Sequence, residues 1–249
     1  MKGIDVSSHN GKIDGARLKQ AGISFIWIKL TEGDGYVNPY FLQQEAQARK
    51  NGIKVGFYHF ARPDSNSAAR EAGFFLSKLK GHLKPGDLLP ALDFEHPPAN
   101  ASWAYDWLSR VGKVIGQNPV FYTYSSFLTQ MRAGTHLTQY PLWLASYGPN
   151  NGARHPVAAV PPYRSIAAHQ YTSKGKIPGS GKDDTDVNFA ALLAPITYKA
   201  PPPPKPKIAT WKVVVDGRVL AKATRTPGRF LNVWNVQRHK PSKVSVTKN

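Results

Sequence analysis

Along residues 1–190, short runs of apolar, β-branched and aromatic residues alternate with stretches whose apolar positions fall at helical spacing. Eight runs read as strands: Gly3–Ser7, Phe25–Glu32, Lys54–Ala61, Leu88–Glu95, Val120–Ser125, Leu142–Tyr147, Ile166–Tyr171 and Asp186–Ala190. Between the first five lie four helical stretches: "IDGARLKQAG", "NPYFLQQEAQARKNG", "SNSAAREAGFFLSKL" and "ASWAYDWLSRVGKVIG". Glycines close three of them, and Asn38 before Pro39 is a helix start signal. A shorter helical candidate, "SFLTQMRAG", follows the fifth strand; after it, loops rich in Pro, Gly and Asn join the remaining strands.

This alternation predicts an α/β fold: an irregular TIM-like barrel of five β/α units followed by three further strands. In such barrels the chemistry sits at the C-terminal ends of the strands.

The pattern breaks at "KAPPPPKPK", residues 199–207, whose prolines favour an extended, semi-rigid linker. The expected organisation is a catalytic barrel over 1–198, a linker over 199–207 and a basic tail over 208–249. The tail contains "WKVVVDGRVLA", two β-rich runs around Asp216-Gly217, which is a hairpin signal. At about 42 residues without disulfides it is small for an independent fold.

Charge sharpens the picture. The chain carries 33 Lys+Arg against 15 Asp+Glu, a formal +18, and residues 200–249 hold 11 of the bases and one of the acids. A polyanionic partner follows: nucleic acid, an anionic membrane or the anionic polymers of a bacterial wall. The tail reads equally as a wall-targeting hairpin or as a solubilising end. With no cysteine, disulfides, thiolate metal sites and cysteine nucleophiles are excluded. "MKGIDVSSHNG" shows no apolar signal-peptide core, and no later run is long enough to span a membrane.

Candidate chemistry starts in "LLPALDFEHPP", residues 88–98, where an apolar run ends in two carboxylates. Residues i and i+2 of a strand face one side, so Asp93 and Glu95 point together while Leu92 and Phe94 point the other way. Two close carboxylates beside an apolar wall raise the pKa of at least one, giving the acid and base that glycosidic cleavage needs. Standing alone, a D-x-E is more often a pair of solvated or ion-paired residues. Other strand ends change those odds: Asp5 and Asp186 add acids, and Tyr58, His59, Tyr122, Tyr124, Trp143 and Tyr147 add aromatic faces suited to sugar rings.

The motifs "GIDVSSHNGKID", "IKLTEGDGYVNPYF", "VGFYHFARP", "PALDFE", "LWLASY" and "HQYTSKGKIPG…DTDVNF" resemble, in order and spacing, glycoside hydrolase family 25. These are the muramidases typified by Chalaropsis-type lysozyme and many phage endolysins, and the resemblance covers roughly residues 1–194. It implies hydrolysis of the β-1,4 bond between N-acetylmuramic acid and N-acetylglucosamine in peptidoglycan, without metal or other cofactor. It implies Glu95 as the general acid, and Asp93 as the partner that orients the substrate's 2-acetamido group for attack on the anomeric carbon. Asp5 and Asp186 match two further active-site acids, with Asp183 and Asp184 as alternatives to Asp186 in "KDDTD". Tyr58, His59, Tyr122, Trp143 and Gln170 look like groove residues, with Tyr124 and Tyr147 beside them; Glu32 and Tyr36 lie on the loop after the second strand. His9 and Asn10 read as groove residues or, preferably, as a turn. One departure is Phe94, where the family usually has an aliphatic residue.

The resemblance also bears on partners and place. Peptidoglycan strands are the expected partner of a monomeric enzyme, with anionic wall polymers on the basic tail, and neither nucleic acid nor stable membrane insertion. A phage endolysin would wait in the host cytoplasm for a holin; a secreted autolysin, the alternative, would act outside the cell. A catalytically dead peptidoglycan-binding barrel and a nucleic-acid binder are the competing classes, the second lacking any nucleic-acid-binding motif.

Overall fold

A computed structural model describes residues 1–132, 134–181, 186–202, 209–215, 218–225 and 244–248. The chain divides into two units, Met1–Pro201 and Pro202–Asn249.

In the first unit, β1 (Lys2–Val6), β2 (Phe25–Glu32), β4 (Lys54–Phe60), β5 (Ala91–Asp93), β6 (Val120–Tyr124), β7 (Leu142–Ala145) and β8 (Ala168–Gly175) pair in parallel in that order. The last strand, β9 (Val187–Leu192), runs antiparallel between β8 and β1 and closes the barrel. Helices α1 (Gly15–Gln20), α2 (Phe41–Lys50), α3 (Ala68–Leu79), α4 (Ala101–Ile115) and α5 (Ser125–Gln130) follow the first five barrel strands. The arrangement is the expected one of five β/α units and three further strands.

Local chemistry explains the helix ends. Asp14 accepts from the Ala16 and Arg17 amides, Ser67 from Arg70 and Asn100 from Trp103, satisfying amides that the first helical turn leaves free. Gly116 ends α4 at φ +74°, a conformation that costs glycine no Cβ clash.

Most strand ends shift by a few residues, β8 ending four residues beyond the expected Tyr171, and two differences go further. The run Leu88–Glu95 contributes only Ala91–Asp93 to the sheet. Pro90 has no amide to give a ladder, and Leu89 donates instead to the Ile196 carbonyl at 2.9 Å, with Leu88 bridged to Thr197. The second difference is β3 (Tyr36–Val37), a two-residue antiparallel strand on the edge of β2 that is too short to leave a periodic signal.

Alternation sets the two faces. Outward residues such as Ile4, Ile26, Ile28, Val55, Phe57, Leu92, Phe94 and Phe121 are fully buried under the helices. Phe94 meets Trp103, Phe121 and Phe127 at ring centroids 5.5–6.4 Å apart. Inside the barrel Trp27 stacks on Trp143 at 4.0 Å and 17°. Trp27 fits because position 56 is glycine: a Cβ there would lie 2.5 Å from the indole.

A register shift in the β2–β4 ladder between Lys29 and Thr31 breaks the alternation of β2. Such a bulge rotates the following residues by one position. Thr31 therefore reaches the shell, where it meets His59, and Glu32 returns to the side of Lys29.

In the second unit β10 (Ala209–Val215) pairs antiparallel with β11 (Arg218–Arg225) and with β12 (Val244–Lys248). The expected turn residues Asp216 and Gly217 lie outside the described residues. Among the described residues no helix is long and apolar enough to cross a membrane.

Candidate active site

A cavity of about 280 Å³ opens at the mouth formed by the C-terminal ends of the parallel strands, where β9 begins. Asp5, Asp93, Glu95, Asp186, Tyr58, Tyr122, Trp143 and Gln170 line it together. These eight expected residues come from seven strands or strand ends, which is why only closure of the barrel assembles them.

Asp5 is the most tightly built acid. Its Oδ1 accepts from Asn188 Nδ2 at 2.8 Å and its Oδ2 from Gln170 Nε2 at 2.7 Å. Gln170 is itself held, its Oε1 accepting from the Tyr122 and Tyr147 hydroxyls at 2.9 and 2.7 Å. Burial pushes the Asp5 carboxyl up to about 7, against the two amide hydrogen bonds, and the Glu95 charge adds to the rise.

Asp93 and Glu95 form the like-charged pair that the strand pattern implies. Burial raises Asp93 well above the usual carboxylate range and the neighbouring Glu95 charge adds to it, while the Lys29 ammonium opposes both. Asp93 Oδ1 is buried with no hydrogen-bond partner among the described residues. Burial also raises Glu95, against the Tyr122 hydroxyl and Lys29. The pair thus retains a proton to higher pH than free carboxylates do, and its titration belongs to both groups together.

Asp186 reaches the cavity from its rim: its carboxylate is half exposed and pairs with Lys176 at 3.0 Å. Asp183 and Asp184 lie outside the described residues.

Several expected groove residues lie elsewhere. His59 is a correction: it is fully buried on the shell side of β4, between Thr31 Oγ1 at 2.8 Å and Glu71 Oε2 at 2.7 Å, and stacked on Trp107. It follows Tyr58, and adjacent strand residues face opposite sides, so only one of the two could enter the groove. Burial lowers its pKa, against the Glu71 carboxylate, which favours the neutral ring. Tyr124 rests against Phe127 and is not part of the cavity wall. Tyr147 acts through Gln170. Glu32 is engaged by Lys29 and Arg62, and half-exposed Tyr36 donates to Ser8 Oγ at 2.8 Å.

The cavity also uses residues that the sequence left unmarked: Ser7, Lys29, Phe60, Val187 and Asn188. Lys29 is the informative one, a cation facing the acids with its ammonium 4.6 Å from the Phe60 ring centroid. Its strand reads like an apolar run that Lys29 interrupts before the polar end at Thr31 and Glu32. Asn10 combines both readings of its segment: it lines the cavity beside His9 while its Oδ1 accepts from the Ser7 amide at 2.9 Å, fixing the turn. Among the described residues no group of three or more His, Asp or Glu could hold a metal ion.

The family model for glycosyl hydrolases family 25 matches residues 4–180. The chain belongs to that family. It is 30% identical over 203 residues to Lysozyme M1 of Streptomyces globisporus, an alignment covering 76% of this chain and 67% of that one. It is 35% identical over 159 residues to a lysozyme of Streptococcus phage Cp-9, covering 60% and 44%. The crystal structure of a bacterial lysozyme from Streptomyces coelicolor superposes with a TM-score of 0.68 at 29% identity, over 78% of this chain and 92% of that one. The match thus takes in nearly all of a solved lysozyme but less than half of the phage relative. As a member of this family the chain is a glycoside hydrolase of the lysozyme type, and the cavity is where its acids gather.

Proposed function

We propose that this chain is an N-acetylmuramidase that cleaves the β-1,4 bond between N-acetylmuramic acid and N-acetylglucosamine in peptidoglycan. The observation that carries the reading is the Asp93–Glu95 pair, on one side of one strand end, with raised proton affinity, in a cavity walled by Tyr58, Tyr122 and Trp143. The lysozyme names of the relatives point the same way.

Glu95 protonates the leaving glycosidic oxygen. Asp93 takes the substrate's acetamide N–H and steadies the acetamido oxygen as it attacks the anomeric carbon. Carboxylates at i and i+2 stand on the same side, which suits this substrate-assisted route better than an acid and a nucleophile on opposite ring faces. An N–H bond to Asp93 favours its ionised form. Binding therefore drives the shared proton towards Glu95, where the leaving oxygen needs it. Asp5, held by Gln170 and Asn188, adds negative potential beside the developing oxocarbenium ion in its ionised form, which gains population as pH rises through about 7.

The biological setting that fits best is lysis of a host by a phage endolysin, supported by the phage relative and by the large positive charge, which suits an anionic wall. The basic C-terminal unit concentrates the enzyme on that wall, as a monomer and without nucleic acid as partner.

Clearing of purified cell walls by wild type and Glu95→Gln tests the assignment. The variant is expected to lose about 10²–10⁴-fold, the usual contribution of a general acid. Equal clearing by both would sink the reading. Proton NMR of the first-formed sugar should show the retained anomer.

A further inference from the structure

Lys29 is gripped from behind. Glu32 accepts from its ammonium through one carboxylate oxygen, and the other oxygen accepts from Arg62 through both Nε, at 2.8 Å, and Nη2. The β2 bulge makes this possible, because on a regular strand residues three apart face opposite sides.

Arg62 is fixed in turn. Its amide donates to both oxygens of the fully buried Glu71 carboxylate at 3.1 Å, and its Nη1 lies 3.1 Å from His96 Nδ1, on the residue after Glu95. With Nδ1 accepting, His96 presents its Nε2 proton towards Asp64, 3.3 Å away.

We propose that Glu32 and Arg62 are positioning residues for the acid pair: Arg62 grips Glu32, Glu32 grips Lys29, and the grip sets how much Lys29 charge reaches Asp93 and Glu95. The proposal rests on reading that pair as the hydrolytic acids. Neither residue touches the cavity, yet Glu32 sits one ion pair, and Arg62 two, from Lys29, which does.

The neighbours of the acid pair support this division. Asp5 on β1, Lys29 and Glu32 on β2, Tyr58 on β4 and Tyr122 on β6 face it. Asp186 lies at the rim with Lys176. Among the described residues Lys29 is the cation whose charge reaches both acids, and Glu32 the carboxylate that competes for it. Burial would raise Glu32, but the hydrogen bonds from Lys29 and Arg62 outweigh it and hold Glu32 below the usual range, so it remains an anion.

The two positions make opposite predictions. Glu32→Gln removes a nearby anion and frees Lys29 for the acids, so the pair gives up its proton at lower pH. Arg62→Gln leaves Glu32 uncompensated and draws Lys29 towards it, so the pair keeps its proton to higher pH. A merely structural role would move both variants alike or move neither. The Arg62 and Glu32 side chains are 36% and 22% exposed, so glutamine at either place leaves the core packed.

The test is a carbon-13 NMR titration of the Asp93 and Glu95 carboxyls in the free enzyme, with kcat/KM profiles on soluble glycan fragments. Expected are opposed shifts on the order of half a pH unit, downward for Glu32→Gln and upward for Arg62→Gln. Arg62→Lys, which keeps the cation, is expected to return the titration towards wild type. The alkaline limb of kcat/KM should move with the carboxyls. Shifts of one sign, or coincident curves, overturn the proposal. A wild type that cleaves no glycan while its carboxyls still respond in opposite senses would refute the muramidase reading and uphold the charge relay.

Discussion

Gln170 donates to Asp5 at 2.7 Å while its own oxygen accepts two tyrosyl hydroxyls, so its amide can point only one way. Asp5 is thereby supplied with two amide donors and still binds a proton near pH 7, because burial outweighs them.

That balance predicts a pH-dependent stability. The folded pKa of Asp5 lies above its unfolded value of 3.8, so the native state holds the extra proton between the two values. Its contribution is fully present below pH 3.8 and is lost as pH rises through about 7, up to a few kcal/mol. Asp5→Asn should flatten this part of the melting-temperature profile between pH 4 and 8. An unchanged slope would place the proton elsewhere.

Asp93→Asn tests the coupling within the acid pair. Removing the neighbouring anion lowers the proton affinity of Glu95, so the alkaline limb of the residual activity should move to lower pH. The rate itself should fall about 10²–10³-fold as support for the acetamido group is lost. A limb that stays in place would show that the two carboxylates titrate independently.

His59→Gln separates shell from groove. The substitution should cost about 2–4 kcal/mol by breaking the buried Thr31–His59–Glu71 chain, with KM for soluble fragments nearly unchanged. Because the folded pKa of His59 is lowered, wild type loses its share of stability as pH falls below about 6.5, where the unfolded state takes up the proton. The variant should lack that loss. A raised KM at unchanged stability would return His59 to the groove.

Removal of residues 202–249 should slow clearing of whole walls at low salt far more than hydrolysis of soluble fragments, and the gap should close as salt rises. Equal slowing on both substrates would make the tail a structural element.

The site was legible wherever a charge interrupts an apolar strand end. Period-2 alternation put Asp93 and Glu95 on one side, the acids at other strand ends and the family motifs added Asp5, and the barrel follows from the order of strands and helices. His59 was misplaced because an aromatic at a strand end looks the same on either face, and its partner Glu71 lies on a helix twelve residues away. Lys29 escaped notice, and Glu32 was expected on the groove loop without its link to Lys29, because their shared side depends on a bulge, which leaves no mark in the hydrophobic pattern. Asn188 matters through its pairing with Asp5 across 183 residues, a distance that local patterns do not span.

That same pairing carries a consequence for how the protein comes into being. The barrel is closed by its first strand against its last, so Asp5 acquires Asn188 only after β9 has left the ribosome. Early strands wait for the slowest, longest-range contact before the acid cluster exists. An interrupted translation product that ends before β9 therefore lacks the completed cutting edge, and only full-length barrels would threaten a cell wall.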